Sequence, residues 1–127
     1  MNDSQRVIVS FAPEKHLVGQ VRRFGTAQLR RWNLSHLTET AELLISELVT
    51  NAVVHGKGPD VCVSLAHAAG RLHIEVTDGS PHPPHLHHPG PDEEHGRGLL
   101  LVQALSHRWG TSEDGRQTWC TLLARDG

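Results

Sequence analysis

Three polar side chains recur at four-residue intervals in an otherwise apolar stretch: Glu47, Asn51 and His55. Residues four apart lie one turn apart on a helix, so the three would form a single polar stripe. Asparagine is a poor helix former, because its amide competes for backbone hydrogen bonds. A carboxylate and an amide oxygen on one stripe suit a hard cation such as Mg²⁺ carried by nucleotide phosphates. The polar flank of an ordinary amphipathic helix is the alternative interpretation.

A second carboxylate, Asp78, follows an alternating apolar stretch and precedes Gly79. At the end of a strand, this carboxylate could accept a hydrogen bond from an exocyclic amine and so select adenine. An Asp-Gly turn with no ligand has the same sequence, and this alternative stays open.

A third group consists of Gly96, Arg97 and Gly98, which precede an apolar stretch that starts at Leu99. Backbone N–H groups at the start of a helix form a natural phosphate site, and Arg97 could add charge-assisted hydrogen bonds. Leu101 stands where a dinucleotide-binding fingerprint would have its third glycine, and no Walker A lysine motif is present.

Residues 80–95 contain five prolines, which exclude a regular helix or a central strand. Loops of this length are functional lids or disordered segments. Their histidines could bind zinc or nickel, but neither a cysteine partner nor regular structure holds them, so a solvated loop is favoured. The histidines concerned are His82, His85, His87 and His88.

The remaining periodicity predicts the elements that position these groups. Strands are expected at 7–12, 61–68, 71–77, 108–112 and 117–124, with helices at 14–32, about 37–56 and 99–105. This order predicts an α+β fold, a two-layer α/β sandwich with a mixed or antiparallel sheet and helices on one face. Four arginines on the outer side of 14–32 predict a solvated face or, alternatively, a docking surface for an acidic partner: Arg22, Arg23, Arg30 and Arg31.

Composition narrows the function classes. The 127 residues are enough for one domain, and residues 1–127 are taken as a single domain. The net charge of -2 argues against direct nucleic-acid binding or a membrane surface. No apolar run approaches the ~20 residues that span a bilayer, so a cytoplasmic location is expected. Cys62 and Cys120 are expected to be buried, reduced thiols.

Taken in order, the three motifs resemble the asparagine box and the two glycine boxes of the GHKL ATPase superfamily, which includes the histidine kinases. The motifs are the stretch 47–56, then Asp78-Gly79-Ser80, then the stretch 96–102. The short chain, its Gln117-Thr118-Trp119 ending and the Arg22-Arg23-Phe24 helix more narrowly resemble the anti-sigma factor serine kinases of bacteria. The resemblance covers nearly the whole chain and implies a Bergerat-type sandwich with a mixed sheet.

The resemblance also implies roles for individual residues. Asn51 would coordinate the Mg²⁺ that bridges the triphosphate of ATP, and Glu47 would be the general base or would position the nucleophile. Asp78 would bind the adenine amine, and Thr118 would support the adenine end from the last strand. Further residues would lie in the nucleotide site: His55, Gly79, Gly96, Arg97, Gly98 and Leu99.

The activity implied is phosphorylation of a small anti-anti-sigma factor-like protein on serine, together with sequestration of a sigma factor. A homodimer is implied as well. The chain departs from the family at the first glycine box, where Ser80 and His82 replace two glycines. Two alternatives therefore remain: a non-catalytic module of the same fold that captures a partner stoichiometrically, and a metal-responsive regulator that uses the histidine loop at 82–95.

Overall fold

The computed structural model describes residues 5–55, 58–78, 94–113 and 116–124, with the backbone alone for 94–99. The elements follow the expected order, and the described residues form the following strands, 3₁₀ turns and helices: β1 Gln5–Phe11, a turn at Lys15–Leu17, α1 Val18–Arg31, a turn at Ser35–Leu37, α2 Thr38–His55, β2 Val61–Ala68, β3 Arg71–Thr77, α3 Glu94–Leu105, β4 Arg108–Thr111 and β5 Gln117–Leu123.

The five strands form one sheet in the order β1-β2-β3-β5-β4. Each of its four pairings is antiparallel. The antiparallel alternative is therefore confirmed for the described strands, and the mixed sheet is wrong. For two of the four pairings the reason is the connection, because β2–β3 and β4–β5 are joined by short links, which allow only antiparallel pairs.

The turn between β2 and β3 determines the register in which the two strands pair. Ala69 and Gly70 have φ values of 54° and 74°. Positive φ at both central residues is the pattern of a type I′ turn, whose twist matches that of the flanking strands. The turn aligns Ala68 with Arg71 and, at the far end of the hairpin, Cys62 with Thr77.

All three helices lie on one face of the sheet, as expected. Alternate residues of β2 and β3 are buried beneath them, and the same cluster includes one stripe of α2. A strand that buries one face buries every second residue, and a helix that buries one side buries residues with a period of 3.6. The buried residues of α2 are Ala41, Leu44, Ile45, Leu48, Val49 and Ala52.

Helix α1 packs tightly on α2 at Gly25. A Cβ atom added at Gly25 would lie 2.6 Å from Cδ1 of Ile45 and 3.8 Å from Cδ1 of Leu65 in β2. Glycine is therefore present inside a helix because two elements meet there without room for a side chain. None of the described helices is both long and apolar enough to cross a membrane.

Candidate functional site

Helix α2 carries Glu47, Asn51 and His55 along one side, as their spacing predicts. Glu47 and Asn51 are half-buried, whereas His55, in the last turn, is exposed. The neighbouring Leu48 and Ala52 are buried in the core. The polar stripe therefore lies at the edge of the packed surface, where a side chain can contact both protein and ligand.

The contacts of α2 show which side of the helix this edge faces. Ile45 points towards α1, because its Cδ1 closes the space above Gly25. Asn51 is six residues further on and so points about 120° away from Ile45 around the helix axis. Helix α3 also packs on α2, and it contacts β4, which is an edge strand of the sheet. We infer that the polar stripe faces the side of α2 on which α3 lies.

The direction of α2 is fixed by a contact at its start. The Nε2 atom of His36, in the turn before α2, donates to the carbonyl of Ala124, 3.0 Å away, just after β5 ends. Since α2 also packs along β2 and β3, we infer that its C-terminal turns lie towards the opposite end of the sheet. That end contains the start of β2, the end of β3 and the start of β5, since Thr77 pairs with both Cys62 and Gln117.

Asp78 lies at this end of the sheet, immediately after β3. Its backbone N–H donates to the carbonyl of Arg116 at 2.9 Å, which extends the β3–β5 ladder by one residue. Because Val76 is buried on the helix side and side chains alternate along a strand, Asp78 also belongs to the helix side. It is half-buried there. A carboxylate is thus held by the backbone at the rim between sheet and helices.

Thr118 lies on the same face as Asp78. It is paired with Val76 of β3 on one side and with Thr111 of β4 on the other, and it is half-buried. In the extended ladder it is the diagonal neighbour of Asp78, a relationship that places Cα atoms roughly 7–8 Å apart. The structure therefore brings together Asp78 and Thr118, two residues forty positions apart in the chain.

Helix α3 begins earlier than its sequence indicates. It starts at Glu94, so Gly96, Arg97, Gly98 and Leu99 lie within its first turns and do not precede it. The expected helix at 99–105 therefore starts five residues too late, and the expectation that Gly96 opens the helix is wrong by two residues. The N–H groups of the N-cap and of the first three helical residues have no intrahelical acceptor, and Gly96 contributes one of them.

Several predicted features fall outside the described residues. These are Gly79, the replaced glycine positions Ser80 and His82, and the rest of the proline-rich loop up to residue 93. The same holds for the metal alternative, since His82, His85, His87 and His88 belong to that loop. Within the described part of the chain, no three His, Cys, Asp or Glu side chains are grouped so that they could hold a metal ion.

One residue near the site was missed by the sequence analysis. Arg116 stands directly opposite Asp78, although the sequence shows it only as the last residue of a Glu-Asp-Gly-Arg turn. The register of β3 against β5 would have revealed it, because every aligned pair from Arg71 with Leu123 to Thr77 with Gln117 leads to this position. Local patterns carry no such register information.

A family model for the histidine kinase-like ATPase domain matches residues 11–122, which include all the elements from α1 to β4 and nearly all of β5. A search of curated proteins found no significant match.

Proposed function

Because the chain belongs to the histidine kinase-like ATPase family, we propose that it binds ATP with Mg²⁺ and acts as a serine kinase of the anti-sigma factor type. Its protein substrate would be a small anti-anti-sigma factor-like protein, and it would also sequester a sigma factor. The observation that supports this best is the common placement of Asn51 and Asp78. Both lie on the helix side of the sheet, at the end where α2 and β3 finish.

The donor set fits a nucleotide with a hard cation. The amide oxygen of Asn51 and the carboxylate of Glu47 lie one turn apart on a half-buried flank, and oxygen ligands of this kind suit Mg²⁺. The N–H groups of the first turn of α3, a helix of 12 residues, suit the phosphates. When bound, Mg²⁺ would neutralise charge on the phosphates, which is most of what phosphoryl transfer requires.

The residues of this chain then take separate roles in the proposal. Asp78 accepts from the adenine amine, with Gly79 and Thr118 beside it. Asn51 would hold the metal ion. Glu47 takes the proton from the serine hydroxyl, and the serine oxygen bonds to the γ-phosphorus. The bond from that phosphorus to the bridging oxygen breaks, and ADP leaves. The remaining residues would line the phosphate end of the site: His55, Gly96, Arg97, Gly98 and Leu99.

The partner surface proposed is the outer side of α1. This helix contains four arginines and no acidic residue. The guanidinium groups of Arg22 and Arg23 converge above Gly19, since Nη2 of Arg22 and Nη1 of Arg23 lie 3.7 Å and 3.9 Å from where its Cβ would be. Among the described residues, no carboxylate forms an ion pair with either arginine. Two adjacent positive charges of this kind suit an acidic surface on a partner protein.

A phosphotransfer assay tests the proposal. The protein is incubated with γ-labelled ATP, Mg²⁺ and candidate anti-anti-sigma factor-like proteins, and the label on the partner is counted before and after acid treatment. We expect acid-stable label, because phosphoserine survives acid whereas phosphohistidine does not. Acid-labile label would show that the serine assignment is wrong. Light scattering on the same samples tests the homodimer that accompanies this proposal.

The second candidate function is stoichiometric capture of the same partners without catalysis. It is favoured by Ser80 and His82, which replace two glycines of the first glycine box. In this case the partner would form a stable complex with the chain, but no label would reach it. Complex formation measured by gel filtration beside the phosphotransfer assay separates the two functions.

A further inference from the structure

Arg116 and Asp78 form a directly opposed cross-strand pair at the end of the sheet. The backbone N–H of Asp78 donates to the carbonyl of Arg116 at 2.9 Å, one step beyond the Thr77–Gln117 pair. Directly opposed residues on an antiparallel ladder lie on the same face, with Cβ atoms roughly 4.5–5.5 Å apart. The arginine is therefore a neighbour of the carboxylate on the helix side.

The burial of Arg116 sets it apart from an ordinary turn arginine. A charged side chain beside a hairpin turn normally extends into water. Here the residue is half-buried, and its Nε atom has essentially no exposed surface. The side chain of Arg116 is therefore packed against the protein up to Nε at the place where the ladder ends, on the same face as Asp78.

We propose that Arg116 is a positioning residue that orients the Asp78 carboxylate for adenine. A carboxylate has about four acceptor positions on two oxygens, so one oxygen can accept from a guanidinium while the other accepts from an exocyclic amine. This inference rests on the proposed nucleotide site and adds the residue that sets its base specificity. Adenine presents an amine donor at this position, whereas guanine presents a carbonyl acceptor, which a fixed carboxylate repels.

The readout that follows is the ratio of ATP affinity to GTP affinity. A residue that only stabilises the hairpin would change the melting temperature and leave this ratio constant. A residue that orients Asp78 changes the ratio, because an unoriented carboxylate binds adenine less well, whereas GTP has no favourable contact with this carboxylate to lose.

The experiment uses calorimetry with ATP and GTP in the presence of Mg²⁺, together with thermal melting. The variants are Arg116→Gln and Arg116→Lys, and Arg108→Gln is the matched control. Arg108 is an exposed arginine of β4 that is paired with Thr121, away from Asp78. We expect Arg116→Gln to weaken ATP about 10-fold with little change for GTP. Arg116→Lys should recover part of the ratio, and Arg108→Gln should leave it unchanged.

A double-mutant cycle with Asp78→Asn completes the test. Once Asp78 has lost its charge, Arg116→Gln should cost little further ATP affinity, since residues that act together are non-additive. An unchanged ATP-to-GTP ratio in Arg116→Gln, or full additivity in the cycle, would overturn the role of Arg116 alone. If Arg116→Gln does not fold, an unchanged ratio in Arg116→Lys overturns it instead. A wild-type protein that binds neither nucleotide overturns the nucleotide site as well.

Discussion

Gly25 of α1 and Ile45 of α2 lie so close together that a single methyl group at Gly25 would collide with the Ile45 side chain. The Cβ position at Gly25 is 2.6 Å from Cδ1 of Ile45. Ile45 itself is fully buried, so it has no solvent-filled space into which to move. This contact is one of those by which α1 packs on α2.

Gly25→Ala should therefore destabilise the protein, although alanine favours a helix more than glycine does. Overpacking costs about 1–3 kcal/mol, against a gain in helix propensity of about 0.5–1 kcal/mol. Urea denaturation measures the free energy of unfolding. Gly19→Ala is the matched control, because its Cβ would make only ordinary contacts at 3.7 and 3.9 Å. Adding Ile45→Val, which deletes Cδ1, should restore part of the loss; no rescue would show that the clash lies elsewhere.

Asp78→Asn should weaken binding of ATP by about 1–3 kcal/mol, as expected for a charged hydrogen bond. The two side chains are nearly isosteric, and the hydrogen bond from the backbone N–H of residue 78 to the carbonyl of Arg116 is retained. The melting temperature should consequently change little. Calorimetry with ATP and Mg²⁺ measures the affinity. Equal affinity in wild type and variant would exclude Asp78 as the adenine ligand.

Glu47→Gln separates catalysis from binding. If Glu47 takes the serine proton, the variant should keep ATP and partner affinity while phosphotransfer falls roughly 10²–10⁴-fold. Asn51→Ala should differ, because loss of a metal ligand lowers Mg²⁺-dependent affinity as well as rate. The measurements are label transfer and ATP affinity for each variant. Undiminished transfer by Glu47→Gln would rule out the general-base role, and the polar flank of a helix would be the better description of Glu47.

Charge reversal on α1 tests the partner surface. Arg22→Glu with Arg23→Glu should weaken capture of an acidic partner at least about 10-fold, and the salt dependence of binding should become shallower. The affinity for ATP should stay at the wild-type value. Arg108→Glu, on β4, is the control for an unspecific effect of charge. Partner binding that tolerates the α1 reversal would place the docking surface on another part of the protein.

The two cysteines should differ in reactivity. Cys62 is half-buried on the helix-free side of the sheet, so the expectation of a buried thiol is wrong for Cys62 and confirmed for Cys120. Burial raises the pKa of the Cys120 thiol from 9.0 to about 12. At pH 8 a thiol reagent should modify Cys62 in the native protein and Cys120 only after unfolding. Rapid reaction of both thiols in native protein would contradict the structure.

The same pKa difference predicts a loss of stability in alkali. Below pH 9 the Cys120 thiol is protonated in both the folded and the unfolded chain, so its contribution to stability is constant. As pH rises from 9 towards 12, only the unfolded chain releases this proton, and the free energy of unfolding falls. The chain has no tyrosine, which removes the usual competing group. Cys120→Val should flatten this part of the profile in urea denaturation.

Most of the fold could be predicted because its signals are local. The periodicity of α2 and the alternation in β2 and β3 reflect burial within single elements. The turn at Ala69 and Gly70 likewise depends only on adjacent residues. The antiparallel sheet, by contrast, depends on which strands pair. The residue pattern of a strand does not identify the strand with which it pairs.

The placement of the candidate site residues could be predicted only where it depends on a single element. The spacing of Glu47 and Asn51 on a helix follows from the sequence alone. The opposition of Arg116 to Asp78 does not, because it depends on strand register across a separation of 38 residues. The contact between Gly25 and Ile45 could not be predicted either, because a glycine in a helical sequence pattern does not indicate which residue it will contact.

The division of α2 between a buried stripe and a half-buried polar flank has a consequence for how such proteins diverge. Leu48 and Ala52 maintain the fold, while their neighbours Glu47 and Asn51 contribute little to the packed interior. Under the proposed function, a single nucleotide change in the codon of Glu47 or Asn51 would abolish catalysis and leave a folded, partner-binding protein. Descendants of one gene could in this way become enzymes or inhibitors without passing through an unstable intermediate.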